Sequence, residues 1–450
     1  MNRPLAAALA LLLAAAASAA PAPSRPRSVI FVLVEGLSWG QLQLARDAAR
    51  AAGRTLAMER VMNEGHAAYC GVTPLDALVP ESGASASAYA TGRKIENRAL
   101  SRLPDGTDVE TILELARRRG LGTGLVTTAR LTHAAPAAFL VHRLDREDEF
   151  AIAGGVVGSG VDVLLGGGAS RFTPSVRARA RAAGYSVVTD ARVLKDGLPP
   201  GKTLGLLAEE TFPFSLDRGS LGSGAPPTLE TMTRLALGRL GGDATGFALV
   251  VDARLIDEAS HDHDAAAVLA EAADADRAVG AAREFAADHP DVELVVASDH
   301  DAGGMAMSWR VNRSDLGGRA PLELLTGQRA SFRAILTRLW ERGGRSPSPA
   351  LTLEVLRAGL APGAELTDDD ARAVAAALRL GPKALPYSHA PAADALASAL
   401  GRRTLIVWST GSHTSALQPC FGIGPGSERL HGVLENSDVF QALRPAADYQ

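Results

Sequence analysis

Val29-Ile-Phe-Val-Leu-Val34 is an unbroken apolar run that stops at a carboxylate, Glu35. A strand buried on both faces reads as such a continuous run, whereas a one-sided strand alternates. Three more runs repeat the pattern. Phe247-Ala-Leu-Val-Val251 ends in Asp252, Glu293-Leu-Val-Val-Ala297 leads through Ser298 to Asp299 and His300, and Gly124-Leu-Val-Thr-Thr128 leads to His133. A fifth, Thr404-Leu-Ile-Val-Trp408, runs through a Ser/Thr/Gly turn to His413. Between them, apolar spacing predicts helices over 228–240 and about 265–285, and Thr367 with Asp370 forms a capping box for a helix reaching Leu380. Alternating strands and helices predict an α/β fold with a doubly wound, mostly parallel central sheet flanked by helices. Such sheets take their ligands outside the carboxyl ends of the strands, so these acids and imidazoles would gather there as a metal site.

The 450 residues, 46% hydrophobic, can form one large α/β domain over 20–450, with a helical and loop-rich insertion at about 310–400. A net charge of -4 gives no reason to expect a nucleic acid-binding patch. Residues 1–19 read as a signal peptide: a cationic start, an apolar run from Leu5 to Ala17, and Ala17-Ser18-Ala19 as the cleavage site. The protein therefore reads as exported, periplasmic or extracellular. No later run is long enough to span a bilayer. Cys70 and Cys420 are the only cysteines, and the sequence leaves open whether they pair.

Two local patterns carry chemistry. Ser82, in Glu81-Ser-Gly-Ala-Ser-Ala-Ser-Ala88, opens a helix of very small residues, whose positive dipole end favours an alkoxide or a phosphoryl group. Asp257 and His261 stand four apart on a helix face, a spacing that can chelate zinc; helical phase excludes His263 from that pairing. Asp368-Asp-Asp370 sits in a helix's first turn, where acids complement the dipole, and reads as solvated.

Taken together and in order, these segments resemble the alkaline phosphatase family. The resemblance runs through Ser28–Gly36, Glu81–Ala88, Gly124–Ala138, Asp162–Gly168, Val251–His261, Ser298–Gly304 and Thr410–Thr414. It implies that Ser82 is the nucleophile and Arg146 the phosphate-gripping residue. Asp257, His261 and His413 would hold one zinc; Asp299, His300, Glu35 and Ser82 would hold a second. Glu35, Asp252 and the loop 133–135 would form a third site, for magnesium, with His133 and Glu81 lying beside the centre. It further implies small phosphate monoesters as substrates and a homodimer.

Four positions depart from the family pattern: Glu35 stands for Asp, Asp252 for Glu, Ala135 for Thr and Glu81 for Asp. Ala135 has no ligand oxygen, so the third site is expected to be altered or weak. The departures motivate one alternative, a catalytically weakened phosphate- or metal-binding relative. A phosphodiesterase of the same superfamily is another. A sulfatase is disfavoured because no Cys- or Ser-x-Pro-x-Arg motif surrounds Ser82.

Overall fold

The computed structural model describes residues 28–242, 245–308, 320–379 and 391–444. The signal-peptide segment and parts of the expected insertion lie outside the described residues. In chain order the strands are β1 (Ser28–Val34), β2 (His66–Gly71), β3 (Gly122–Arg130), β4 (Val163–Gly167), β5 (Tyr185–Val188), β6 (Lys202–Leu206), β7 (Phe247–Ala253), β8 (Val292–Ala297), β9 (Asp301–Ala302), β10 (Met305–Met307), β11 (Ile406–Trp408), β12 (His413–Thr414), β13 (Gln418–Ile423) and β14 (Gly432–Glu435). Ten of them form one sheet in the order β14-β2-β13-β8-β1-β7-β3-β4-β6-β5. Only β13 runs against its neighbours, so the sheet is mostly parallel.

β1 shows why its run is continuously apolar. Ile30, Val32 and Val34 enter the core on one face, with Leu44, Met232 and Val279; Val29, Phe31 and Leu33 enter the other, with Tyr89, Phe139 and Ile152. Burying each such side chain contributes roughly 1.5–3 kcal/mol, so two-sided burial anchors the strand firmly. Register then sets the height of the site. Leu33 lies opposite Asp252 of β7 and opposite Ala297 of β8. Glu35, Asp252 and Asp299 therefore leave the sheet together at its carboxyl edge.

The fifth run does not behave as expected. Thr404 closes the Pro391–Thr404 helix, Leu405 turns at φ 61, and β11 pairs antiparallel with β10 in a two-stranded ribbon outside the central sheet. Its burial explains the difference: Ile406 is buried while Val407 is exposed, so it is covered on one side only. His413 is delivered instead by β12, which pairs with β9 just after β8 and places His413 opposite Ala302.

Helices form where the apolar spacing placed them: Leu229–Leu240 capped by Thr228, Ala265–Asp288, and Asp368–Leu378 behind the Thr367/Asp370 capping box. The helices Phe332–Gly343, Pro349–Gly359, Asp368–Leu378 and Pro391–Thr404 share a separate core around Ile335, Leu339, Leu356, Val374 and Leu396. Cys70 and Cys420 are both buried and both free, on the neighbouring strands β2 and β13. Among the described residues no helix is long and apolar enough to cross a membrane.

Candidate active site

Ser82 is the first residue of the Ser82–Thr91 helix, which is buried along its whole length. Only small residues, with Tyr89, allow that depth. Two hydroxyls tie the helix to the end of β8: Ser85 Oγ donates to the Asp299 carbonyl at 2.7 Å, and Tyr89 OH to the Ser298 carbonyl at 2.8 Å. This clamp places Ser82 Oγ 3.0 Å from His300 Nε2, which is itself 3.1 Å from Asp299 Oδ2. Asp299 Oδ1 accepts the Gly36 and His300 amides at 3.1 and 2.9 Å, which fixes the carboxylate between β1 and β8.

A second cluster lies beside it. Asp257 Oδ1 is 3.4 Å from His261 Nε2 and 3.5 Å from His413 Nε2, and the two imidazole nitrogens are 3.2 Å apart. His261 Nδ1 pairs with the Gly411 carbonyl and His413 Nδ1 with the Pro80 carbonyl, both at 2.9 Å. A ring whose Nδ1–H is held by a carbonyl offers its Nε2 lone pair, the arrangement in which histidine binds a metal. Burial and the neighbouring His300 lower the pKa of His413, favouring that neutral form. Burial works against the charge of Asp257, but Arg254 and His261 hold its carboxyl well below the usual range. Asp257, His261 and His413, all buried with mutually close donor atoms, thus fit a metal ion. The set Ser82, Asp299 and His300, with the Glu35 carboxylate at the neighbouring strand end, is of the right chemistry for another.

Arg146 is positioned by Glu81. Glu81 caps the Ser82 helix by accepting the Ala84 amide at 2.7 Å and forms an ion pair with Arg146. Burial raises the Glu81 carboxyl, but Arg146 outweighs it and the pKa lies below the usual range. His133 Nε2 is 3.4 Å from Arg146 Nη2, and its Nδ1 is 4.0 Å from Glu35 Oε1. Burial first, then Arg254 and Arg146, keep His133 well below its ordinary pKa and hence neutral.

Glu35 and Asp252 are not part of the Asp257–His261–His413 group. Asp252 Oδ2 accepts from Thr127 Oγ1 at 2.5 Å, and neither Glu35 Oε1 nor Asp252 Oδ1 meets a protein donor. Burial pushes Asp252 to about 6 and, with the charge of Asp252, raises Glu35 well above the carboxylate range. Ala135 is fully buried and presents only a methyl group. From the protein, magnesium here would find the free oxygens of Glu35 and Asp252 and nothing from Ala135, so water would have to complete its octahedral set.

His263 and Asp262 lie outside both clusters: His263 stacks on Trp408, and Asp262 pairs with Arg333. A cleft of about 430 Å³ beside the helices of the separate core, lined by Asp262, Arg333 and Trp340, contains none of the residues of the two clusters. The sequence reading assigned no role to Arg254, whose guanidinium contacts both Glu35 and Asp257. Its only sequence signal was its place between Asp252 and Asp257.

The family model described as alkaline phosphatase matches residues 26–449. Alkaline phosphatase 4 of Bacillus subtilis is 30% identical over 382 residues, covering 82% of this chain and 77% of that protein. Streptomycin-6-phosphate phosphatase of Streptomyces griseus is 35% identical, over 61% of this chain and 73% of its own length. The crystal structure of Thermus thermophilus alkaline phosphatase superposes with a TM-score of 0.84 at 32% identity, covering 95% of this chain and 93% of that one.

Proposed function

The chain belongs to the alkaline phosphatase family, and from that premise we propose that it hydrolyses small phosphate monoesters through a phosphoserine at Ser82 beside a two-zinc centre. The observation that carries the reading is the position of Ser82 Oγ, 3.0 Å from His300 Nε2 and at the entry to a buried helix next to the Asp257–His261–His413 cluster. Zinc held by Asp257, His261 and His413, and by Asp299, His300 and Glu35, would lower the pKa of the hydroxyl and neutralise the leaving oxygen. Ser82 Oγ then attacks phosphorus, and the P–O bond to the leaving alkoxide breaks. Water opens the phosphoserine in the second half, returning the Ser82 hydroxyl and releasing phosphate. Arg146 matches two phosphate oxygens with its planar fork, and its ion pair with Glu81 aims that fork. The positive end of the Ser82–Thr91 helix adds to the stabilisation of charge.

Leader residues 1–19 support export of the chain, to periplasm or medium. The test is p-nitrophenyl phosphate hydrolysis by the mature chain with and without zinc, run beside bis-p-nitrophenyl phosphate and with acid-quenched mass spectrometry of the Ser82 peptide. Zinc-dependent monoester turnover with a trapped phosphoserine supports the reading. Preference for the diester, or no phosphoserine during turnover, overturns it.

A further inference from the structure

Arg254 lies between the end of β7 and the Leu255–His261 helix. Its backbone amide donates to Thr128 Oγ1 at 3.1 Å, which fixes where the side chain starts. The guanidinium Nη1 is 3.2 Å from Glu35 Oε2 and in direct contact with Asp257 Oδ2, and Nε is 3.9 Å from Glu258 Oε1. A buried protein cation thus bridges an acid of the third position to an acid of the Asp257–His261–His413 cluster. The surroundings are tight. At Gly36, with φ +75, an added Cβ would lie 2.7 Å from the Asp257 Cα, so the turn after β1 and the helix are pressed together. Across the pocket, Thr127 Oγ1 donates to Asp252 Oδ2 and accepts the Ala129 amide, and Ala135 supplies no oxygen.

Resting on the phosphatase reading above, we propose that Arg254 is the third cation of this site, taking the role of magnesium, so that the chain binds two metal ions and not three. A hydrated magnesium ion would compete with Arg254 for Glu35 Oε2. A guanidinium needs no inner sphere of oxygens, only acceptors in its plane, and it cannot be stripped by a chelator.

The measurement is metal content by mass spectrometry after equilibrium dialysis of the mature chain against excess zinc and magnesium. The wild type should hold about two metal ions, with magnesium no higher than in the outer buffer. Arg254→Ala should gain about one magnesium per chain, while Arg254→Lys should gain none. A magnesium equivalent bound by the wild type overturns the proposal. So does Arg254→Ala that keeps two zinc ions and gains nothing. Should that variant fail to fold, the wild-type magnesium count decides alone. Failure of the phosphatase reading shows separately, as absent zinc uptake and no phosphoserine at Ser82.

Discussion

β8 has a fully buried acid at each end, and the two could hardly be treated more differently. At its carboxyl end Asp299 accepts two backbone amides and faces His300 and, through it, Ser82. At its amino end Glu293 meets no donor at either oxygen, and its carboxyl lies 3.0 Å from where a Cβ on Gly426 would stand. Burial alone therefore does not mark a functional acid. What distinguishes Asp299 is convergence: β1, β7, β12 and the Ser82 helix all deliver polar groups to one place, while the charges acting on Glu293 are those of Glu428, which opposes its ionisation, and Arg429.

The sharpest way to break that contrast is to remove groups at the convergent end. Ser82→Ala should abolish phosphoserine formation and lower turnover by about 10⁴-fold or more, because the nucleophile has no substitute. Residual turnover within about 10-fold of wild type would place the nucleophile elsewhere. His413→Ala should come next. It removes one corner of the Asp257–His261–His413 cluster, so about one zinc per chain should be lost and kcat/KM should fall roughly 10³-fold. Full zinc content in that variant would show that His413 is not a ligand. Arg146→Ala should cost about 10²-fold in kcat/KM, and Arg146→Lys should recover only part, because a point charge cannot reproduce the bidentate fork. Equal activity of the lysine and arginine forms would show that charge alone matters there.

The central strands were legible because two-sided burial writes itself as continuous apolar runs, and β1, β3, β7 and β8 all did so. The strand-end acids followed from the same runs. The path to His413 was not legible. Thr404–Trp408 has strand composition, but a helix end, a left-handed Leu405 and a one-sided ribbon occupy it, and only tertiary context decides that. The partner of His413 Nδ1 is the Pro80 carbonyl, 333 positions away in sequence, which no local pattern announces. Arg254 escaped for another reason. An arginine near acids in sequence reads as a solvated ion pair, and its burial beneath Glu35 and Asp257 appears only once β1 and β7 are set side by side. Glu293 was read as the first residue of an apolar run, with no hint that its carboxyl would be enclosed.

Glu293 offers the smallest but most discriminating effect, because it should change stability and leave catalysis alone. Burial first, and then the negative charge of Glu428, push its pKa well above the ordinary range, with Arg429 opposing. The unfolded chain ionises the group near a pH of about 4.3, while the folded chain keeps its proton to higher pH. Above that point the unfolded state binds fewer protons, so this group's contribution makes the free energy of unfolding fall as pH rises, until the folded carboxyl ionises too. Glu293→Leu removes both the burial cost and that slope. It should add about 1–3 kcal/mol near neutral pH, and less as pH approaches the ordinary carboxylate range. Denaturant unfolding of both forms from acid to neutral pH measures this. A leucine variant that is less stable at neutral pH, or that retains the wild-type slope, would mean that the folded protein satisfies Glu293, and the contrast between the two ends of β8 would fail.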